Sequence, residues 1–346
     1  MAVRGGVNWP NALMLTCTRA TVSPADPTHA RMMPVARVIF MGTPDFAVPC
    51  LQTLIATQTV VGVVTQPDKP AGRGHQLRPP PVAVAAADAG IPVYQPRSLR
   101  REEAAEPLRA WQPDVIVVAA FGQILRPRVL YLPPHGSVNV HASLLPRWRG
   151  ASPIQHALLA GDATTGVTLM RMDEGMDTGP MLVQEAIAIR PDETAATLHD
   201  RLAALGAGML RRHLDDILAG RVPPQPQPEE GITYAPLIGK EAGRIDWTTN
   251  SATLDRLVRA MTPWPGAFTE WAGAPLKVLR ARPTDARPDG PPGLVVALPD
   301  GLAVLSGTGA LLLDEVQPAG KRAMTAAEFA RGRPEFVGSV LGGPRD

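Results

Sequence analysis

The sequence predicts an α/β domain on a mostly parallel sheet, followed by a smaller antiparallel β domain. Three observations carry this. The apolar runs at residues 35–41, 60–65 and 114–120 are continuous rather than alternating, as in strands covered on both faces. Helical stretches separate them, and strand-helix-strand units of this kind imply right-handed parallel crossovers. From Gly243 on, the pattern changes to one helix and five short β-type runs, which suggests a small barrel.

Taken in order, residues 1–33 lack a clear period and carry Arg4, Arg19 and Arg31 against Asp26. They read as a disordered extension, since 11–17 is too short and too polar at its edges for a good signal-peptide core. The first strand, 35–41, ends in Gly42-Thr43-Pro44, where Pro44 fits the first helical position after a Thr cap. With a single glycine in this turn, the G-x-G-x-x-G dinucleotide fingerprint is absent, which counts against a nicotinamide enzyme. A helix at 47–56 and a strand at 60–65 follow.

The loop 66–81, QPDKPAGRGHQLRPPP, sets Lys69, Arg73, His75 and Arg78 against Asp68. Its density of Pro and Gly argues against regular structure. On composition alone it is as readily a solvated surface loop as a nucleic-acid contact. Beyond it the pattern gives a helix at 82–89 closing at Gly90, a short strand at 92–94, and a helix at 102–111. The strand at 114–120 leads into Phe121-Gly122-Gln123-Ile124-Leu125. A helix is expected at 152–159, strands at 167–172 and 181–189, and a long amphipathic helix at 194–219, where Leu198, Leu202, Leu205, Leu210, Leu214 and Leu218 recur at helical spacing. The first domain therefore spans 34–221. Residues 222–240, opening VPPQPQP, form a semi-rigid linker, and 241–338 form the second domain.

The polar chemistry concentrates in GSVNVHASLLPRWRG, residues 136–150. Side chains at i and i+2 share a strand face, so Asn139 and His141 point the same way. Pro146 stops the strand from simply continuing, and the last residues of such a strand lie at the carboxyl edge, where ligands bind. An amide donor beside an imidazole there can polarise one carbonyl oxygen and manage one proton. Taken alone, Asn-x-His is more often a pair of satisfied edge residues. Downstream, the acidic loop 173–180, DEGMDTGP, is of a kind that usually makes a solvated turn. Here it joins two strands expected beside the first and is placed to bring a carboxylate over the pair.

Composition narrows the classes further. The chain has 346 residues, enough for two cores. Its hydrophobic residues nowhere form a run approaching the ~18 needed for a transmembrane helix. A formal net charge of +2 argues neither for nor against nucleic acid, so any such contact must come from local clusters. Two cysteines, Cys17 and Cys50, exclude a disulfide framework or a zinc site, and a reducing compartment is the default.

The segment NVHASLLPRWRGASPIQHAL, with MDEGMDTGP after it, resembles the catalytic core of the 10-formyltetrahydrofolate-dependent formyltransferases. The resemblance extends over about 35–336 and includes GRIDW and PWPGA in the second domain. It implies an α/β fold with a Rossmann-like, mostly parallel sheet in the formyltransferase domain and a small OB-like β-barrel domain after it. It also implies that Asn139, His141 and Asp177 act together on the formyl group, with Asn139 and His141 as oxyanion donors. Asp177 would set the histidine's charge state and take the amine's proton. Folate contacts are then expected from Ser143, Leu144, Leu145 and Pro146, with Ile124 and Leu125 lining the pterin pocket. The PAGRG core of the basic loop is similar to an insertion in the members that act on methionyl-tRNA, which implies that Lys69, Arg73 and Arg78 meet the tRNA acceptor arm. The expected reaction is formyl transfer from 10-formyltetrahydrofolate to the methionine of initiator Met-tRNA, in the cytoplasm, by a monomer needing no metal. The alternatives are an amino sugar nucleotide or glycinamide ribonucleotide as acceptor, hydrolysis of the formylfolate, or an RNA-binding α/β protein without catalysis.

Overall fold

The computed structural model describes residues 35–71, 76–286 and 288–342; the expected extension at 1–33 lies outside them. The first strands are β1 (Arg37–Gly42) and β2 (Thr59–Val64), joined through a 3-10 turn at Asp45–Ala47 and helix α1 (Val48–Thr57). Pro44 thus precedes a 3-10 turn instead of opening the α-helix. The Thr43 hydroxyl donates to the Phe121 carbonyl rather than capping a helix, at 3.0 Å. The basic loop also departs from expectation. It contains a two-stranded hairpin, β3 (Lys69–Ala71) against β4 (Gln76–Arg78), because Pro70 occupies a position where its missing N–H is tolerated in an isolated pair. Next come α2 (Pro81–Asp88) and β5 (Val93–Tyr94). Helix 102–111 divides into a 3-10 turn, Glu102–Ala105, and α3 (Glu106–Ala110), with Pro107 in the first turn of α3 where it needs no donor.

The sheet is completed by β6 (Val115–Ala119), the short α4 (Pro127–Leu130), β7 (Ser137–His141), α5 (Pro153–Ala160), β8 (Thr164–Arg171) and β9 (Met181–Ala188). Its seven strands run in the order β5-β2-β1-β6-β7-β8-β9. The first five are mutually parallel, β8 runs antiparallel to β7, and β9 runs antiparallel to β8. The continuous apolar runs follow from two covered faces. Val38, Phe40, Val115 and Val117 enter the core shared with α1 and the long helix α6 (Ala195–Leu218). Ile39, Met41, Ile116 and Val118 enter a second cluster with Leu108, Phe121 and Leu130. Helix α6 packs closest at Gly206, where a Cβ would lie 2.6 Å from Val140 Cγ1. Glycine there lets the helix reach the strand that carries Asn139 and His141.

The Pro-rich segment 222–240 does not span open space. It lies extended along the first domain, bridging Met181 at Gln225 and Arg149 at Tyr234. In the second domain, α7 (Ser251–Met261) is capped by the Asn250 side chain. After it come β10 (Ala267–Trp271), β11 (Ala274–Thr284), β12 (Val295–Leu298), β13 (Gly301–Leu305), β14 (Ala310–Pro318), β15 (Met324–Thr325) and α8 (Ala326–Arg331). The strands make one antiparallel sheet in the order β10-β11-β14-β13-β12, with β15 on β14. Among the described residues no ladder joins β10 to β12, so an antiparallel sheet is what the ladders establish. Trp271, Phe329 and Phe336 close one end edge to face, with centroids 4.9 to 5.5 Å apart.

Candidate active site

Strand β7 pairs Val118 of β6 with Asn139, so Asn139 and His141 lie on the face of the second cluster while Val138 and Val140 enter the first. The loop 120–125 leaves β6 on that same face, with Phe121 and Leu125 in its cluster. Both elements end at the carboxyl edge, as a ligand site of this sheet type requires.

Asn139 is 9 % exposed. Among the described residues no hydrogen bond occupies its carboxamide, whose polar atoms still reach solvent and are open to a ligand. His141, 6 % exposed, places Nε2 at 2.9 Å from the Trp148 carbonyl. A carbonyl only accepts, so Nε2 carries a proton and donates. That leaves Nδ1, which faces Asp177 Oδ2 at 3.7 Å.

The carboxylate arrives by an indirect route. Register puts His141 opposite Thr168 and Val138 opposite Arg171, so the loop after β8 starts beside the amino end of β7. It doubles back over the face, and Asp177 Oδ2 accepts from the Gly150 amide at 2.8 Å. Gly150 itself has φ +118°, and a Cβ there would lie 2.8 Å from the Ala235 carbonyl. The structure thus sets Asp177 against His141, with Asn139 two residues earlier on the same strand face.

The turn holding the Trp148 carbonyl is locked from below by Asp162. Arg147 donates to it through Nε and Nη2 at 2.8 and 2.6 Å, and the Trp148 indole donates at 2.8 Å. The guanidinium also lies 4.4 Å over the indole ring, which stacks on His156 at 5.7 Å. Burial pushes the Asp162 carboxyl up, but hydrogen bonds from Arg147 and Trp148 and the guanidinium charge outweigh it and hold the group below its ordinary value. A depressed carboxyl contributes stability that is fully present above its ordinary range and lost as pH falls through the folded value. Asp162→Ala should therefore lower stability near neutrality by about 1–3 kcal/mol. It should also flatten the loss of stability in acid. Thermal melts from pH 7 down to pH 3 check both, and equal melting temperatures throughout would remove the lock.

The expected folate contacts divide. Ile124 is 65 % exposed and open to a ligand, whereas Leu125 is 5 % exposed and packs in the core. Leu144 and Pro146 are half-buried, and Leu145 is buried. Ser143 is fully buried, donating to the Arg147 carbonyl at 2.6 Å and accepting at its own carbonyl from Thr168 at 2.7 Å. Gln184 adds bonds to Thr168 and to the Leu145 carbonyl at 2.9 and 2.8 Å. Thr168, Gln184 and Asp162 are supports that sequence reasoning missed, because their roles arise only from strand register and chain return.

Of the three expected tRNA contacts, Arg73 lies outside the described residues. Lys69 and Arg78 are exposed and directly opposite each other in the hairpin. Lys69 Nζ donates to Gln66, whose amide in turn donates to the Phe121 and Gly122 carbonyls. A cavity of about 950 Å³ in the second domain touches none of these groups, and its Arg244 is already paired with Glu241 and Glu270. Among the described residues there is no cluster of metal-ligating side chains.

Comparison with known proteins decides what this arrangement belongs to. Residues 36–214 match the formyl transferase family model, and 237–334 match that of the formyl transferase C-terminal domain. The chain is 52 % identical over 304 residues to the methionyl-tRNA formyltransferase of Myxococcus xanthus, covering 88 % of this chain and 97 % of that protein. It is 53 % identical over 300 residues to that of Halorhodospira halophila, covering 86 % and 96 %. The chain belongs to the methionyl-tRNA formyltransferase family. The fold of this formyltransferase extends to more distant structures. WlaRD, a sugar 3N-formyltransferase, superposes with a TM-score of 0.61 at 17 % identity, over 83 % of this chain and 99 % of that one. HypX from Aquifex aeolicus superposes at 0.59 and 18 %, over 88 % and 48 %.

Proposed function

We propose that the protein transfers the formyl group of 10-formyltetrahydrofolate to the α-amino group of methionine on initiator Met-tRNA, in the cytoplasm where translation starts. The observation that carries the chemistry is the carboxamide of Asn139, which holds no hydrogen bond among the described residues and shares a strand face with His141, which Asp177 faces. When an amine attacks a formyl carbon, the formyl oxygen gains negative charge, and donors aimed at it lower the barrier. Asn139 supplies one N–H. His141 has committed Nε2 to the Trp148 carbonyl, so a second donor can come only from Nδ1 in the protonated ring. Asp177 faces that nitrogen and accepts the proton that the attacking amine must lose, directly or through one water; as the tetrahedral intermediate collapses, the bond from the formyl carbon to the folate N10 breaks and N10 takes up that proton, leaving tetrahydrofolate. The half-buried Leu144 and exposed Ile124 suit a flat heterocycle at the same edge. No step of this chemistry calls for a metal.

The acceptor follows from identity to the tRNA-acting relatives and from the hairpin. Two cations directly across a strand pair repel each other, and a phosphate between Lys69 and Arg78 relieves that. The same chemistry with a sugar nucleotide acceptor would leave the hairpin without a role. Formylation of Met-tRNA assayed beside an amino sugar nucleotide should proceed only with the tRNA, and turnover of the sugar alone would overturn the assignment. Lys69→Ala, Arg73→Ala and Arg78→Ala should weaken tRNA binding and leave folate binding unchanged. Each lost phosphate contact should flatten the log-log salt dependence by roughly 0.7 to 0.9. A titration across a salt series checks this, and unchanged slopes would make the hairpin ordinary surface.

A further inference from the structure

We propose that Gln227, on the segment between the two domains, is a positioning residue that sets Asp177 against His141. The side chain is half-buried, while its neighbours Gln225, Pro226 and Pro228 are exposed. Its Nε2 donates to the Asp177 carbonyl at 2.7 Å and to the Gly179 carbonyl at 2.8 Å. Its Oε1 accepts from Arg149 Nε and Nη2 at 3.0 and 2.7 Å. One carboxamide thus spends both donors on the acidic loop and its acceptor on the turn beside His141.

Both ends of this brace need holding. Asp177 sits at φ +52°, in the left-handed region that a non-glycine residue occupies only when surrounding structure enforces it. Arg149 is 7 % exposed, and among the described residues no carboxylate pairs with it; the Gln227 oxygen is its side-chain partner. The Arg149 backbone is fixed in turn, donating to the Thr233 carbonyl at 2.9 Å and accepting from the Ala235 amide at 2.7 Å. The flanking residues of this turn hold the two catalytic partners. The Trp148 carbonyl receives His141 Nε2, and the Gly150 amide donates to Asp177 Oδ2. Gln227 therefore ties together the two chain segments whose separation fixes the distance from carboxylate to imidazole. Without it, the Asp177 carbonyl loses its partner, and the loop between β8 and β9 keeps only its bonds at the ends, such as Met172 N–H on the Ser137 carbonyl, its internal bonds to Asp173 and the Gly150 bond to the carboxylate, which is then free to swing.

The inference rests on the reading of Asp177 as the proton-accepting carboxylate. Gln227→Ala should lower kcat for Met-tRNA formylation by about 10²-fold, the usual consequence of displacing a reacting group by an ångström. The KM for the formylfolate and the Kd for Met-tRNA should stay within about twofold, since ground-state binding is not what the residue supports. Gln227→Glu separates positioning from simple attachment of the segment. A glutamate still accepts from Arg149, but it cannot donate to the Asp177 and Gly179 carbonyls, so kcat should fall as in the alanine variant. Wild-type kcat in Gln227→Glu overturns the proposal, because attachment to Arg149 would then be the whole role, and wild-type kcat in Gln227→Ala overturns it because the side chain would then have no role in turnover. So does a loss confined to tRNA affinity, which would make the segment an acceptor contact. Asp177→Asn is run in parallel. If it keeps wild-type kcat, the triad reading itself falls, whereas an inactive Asp177→Asn beside active Gln227 variants removes the positioning role alone.

Discussion

His141→Ala should slow formyl transfer by about 10² to 10⁴, the range for loss of a positioned proton-handling group. The ring is fixed on one side by its Nε2 bond to the Trp148 carbonyl and faces Asp177 Oδ2 with Nδ1 at 3.7 Å. Alanine removes a donor available to the developing oxyanion and leaves Asp177 with no partner across the site. The carboxylate keeps its Gly150 amide bond, so the fold should survive. The measurement is single-turnover formylation of Met-tRNA, with the melting temperature as the control for folding. A rate within a few fold of wild type in a folded variant would sink the role assigned to His141.

The fold was legible because the strong signals are one-dimensional. The buried runs at β1 and β6, the leucine spacing of α6 and the shift after Gly243 all lie within a single stretch of chain. Errors fell where another part of the chain overrides a local rule. Thr43 looks like a cap, yet its hydroxyl is taken by the Phe121 carbonyl, 78 residues away. The basic loop's prolines and glycines suggested irregular structure, but pairing of Lys69 with Arg78 still forms a hairpin. The Pro-rich segment 222–240 read as a spacer. No composition signal reveals that Gln227 turns inward to the Asp177 and Gly179 carbonyls while its neighbours face water.

The site was legible to the same extent and for the same reason. Asn139 and His141 share a face by the period of a strand, which two residues suffice to reveal. Asp177 needed the resemblance, because its approach depends on a loop that leaves at the wrong end of β7 and folds back. Asp162, Thr168 and Gln184 were invisible, since the partners they meet, the Arg147 and Trp148 side chains for Asp162 and the Ser143 and Leu145 carbonyls for Thr168 and Gln184, are brought to them only by chain return and strand register.

Asn139→Ala should chiefly lower kcat, by about 10² to 10³, as loss of one oxyanion donor does. The argument turns on what the side chain lacks. The side chain is 9 % exposed and holds no hydrogen bond among the described residues, and its polar atoms still reach solvent, so they are open to a ligand group. Ser137, two residues earlier on the same face, shows the alternative, its hydroxyl donating to the Leu130 carbonyl at 2.9 Å. Alanine removes no hydrogen bond among the described residues, so the variant should melt close to the wild-type temperature while turning over far more slowly. A structural asparagine would give the opposite pair, a lower melting temperature with nearly normal kcat. A neutral carbonyl oxygen gains less from an N–H than an oxyanion does, so the KM for the formylfolate should move by no more than about threefold, the remainder of the loss appearing in kcat. Steady-state kinetics on Met-tRNA with the formylfolate varied, beside thermal melts of the same preparation, separate the two roles. A rise in KM for the folate at unchanged kcat would make Asn139 a binding residue and leave the oxyanion without its first donor.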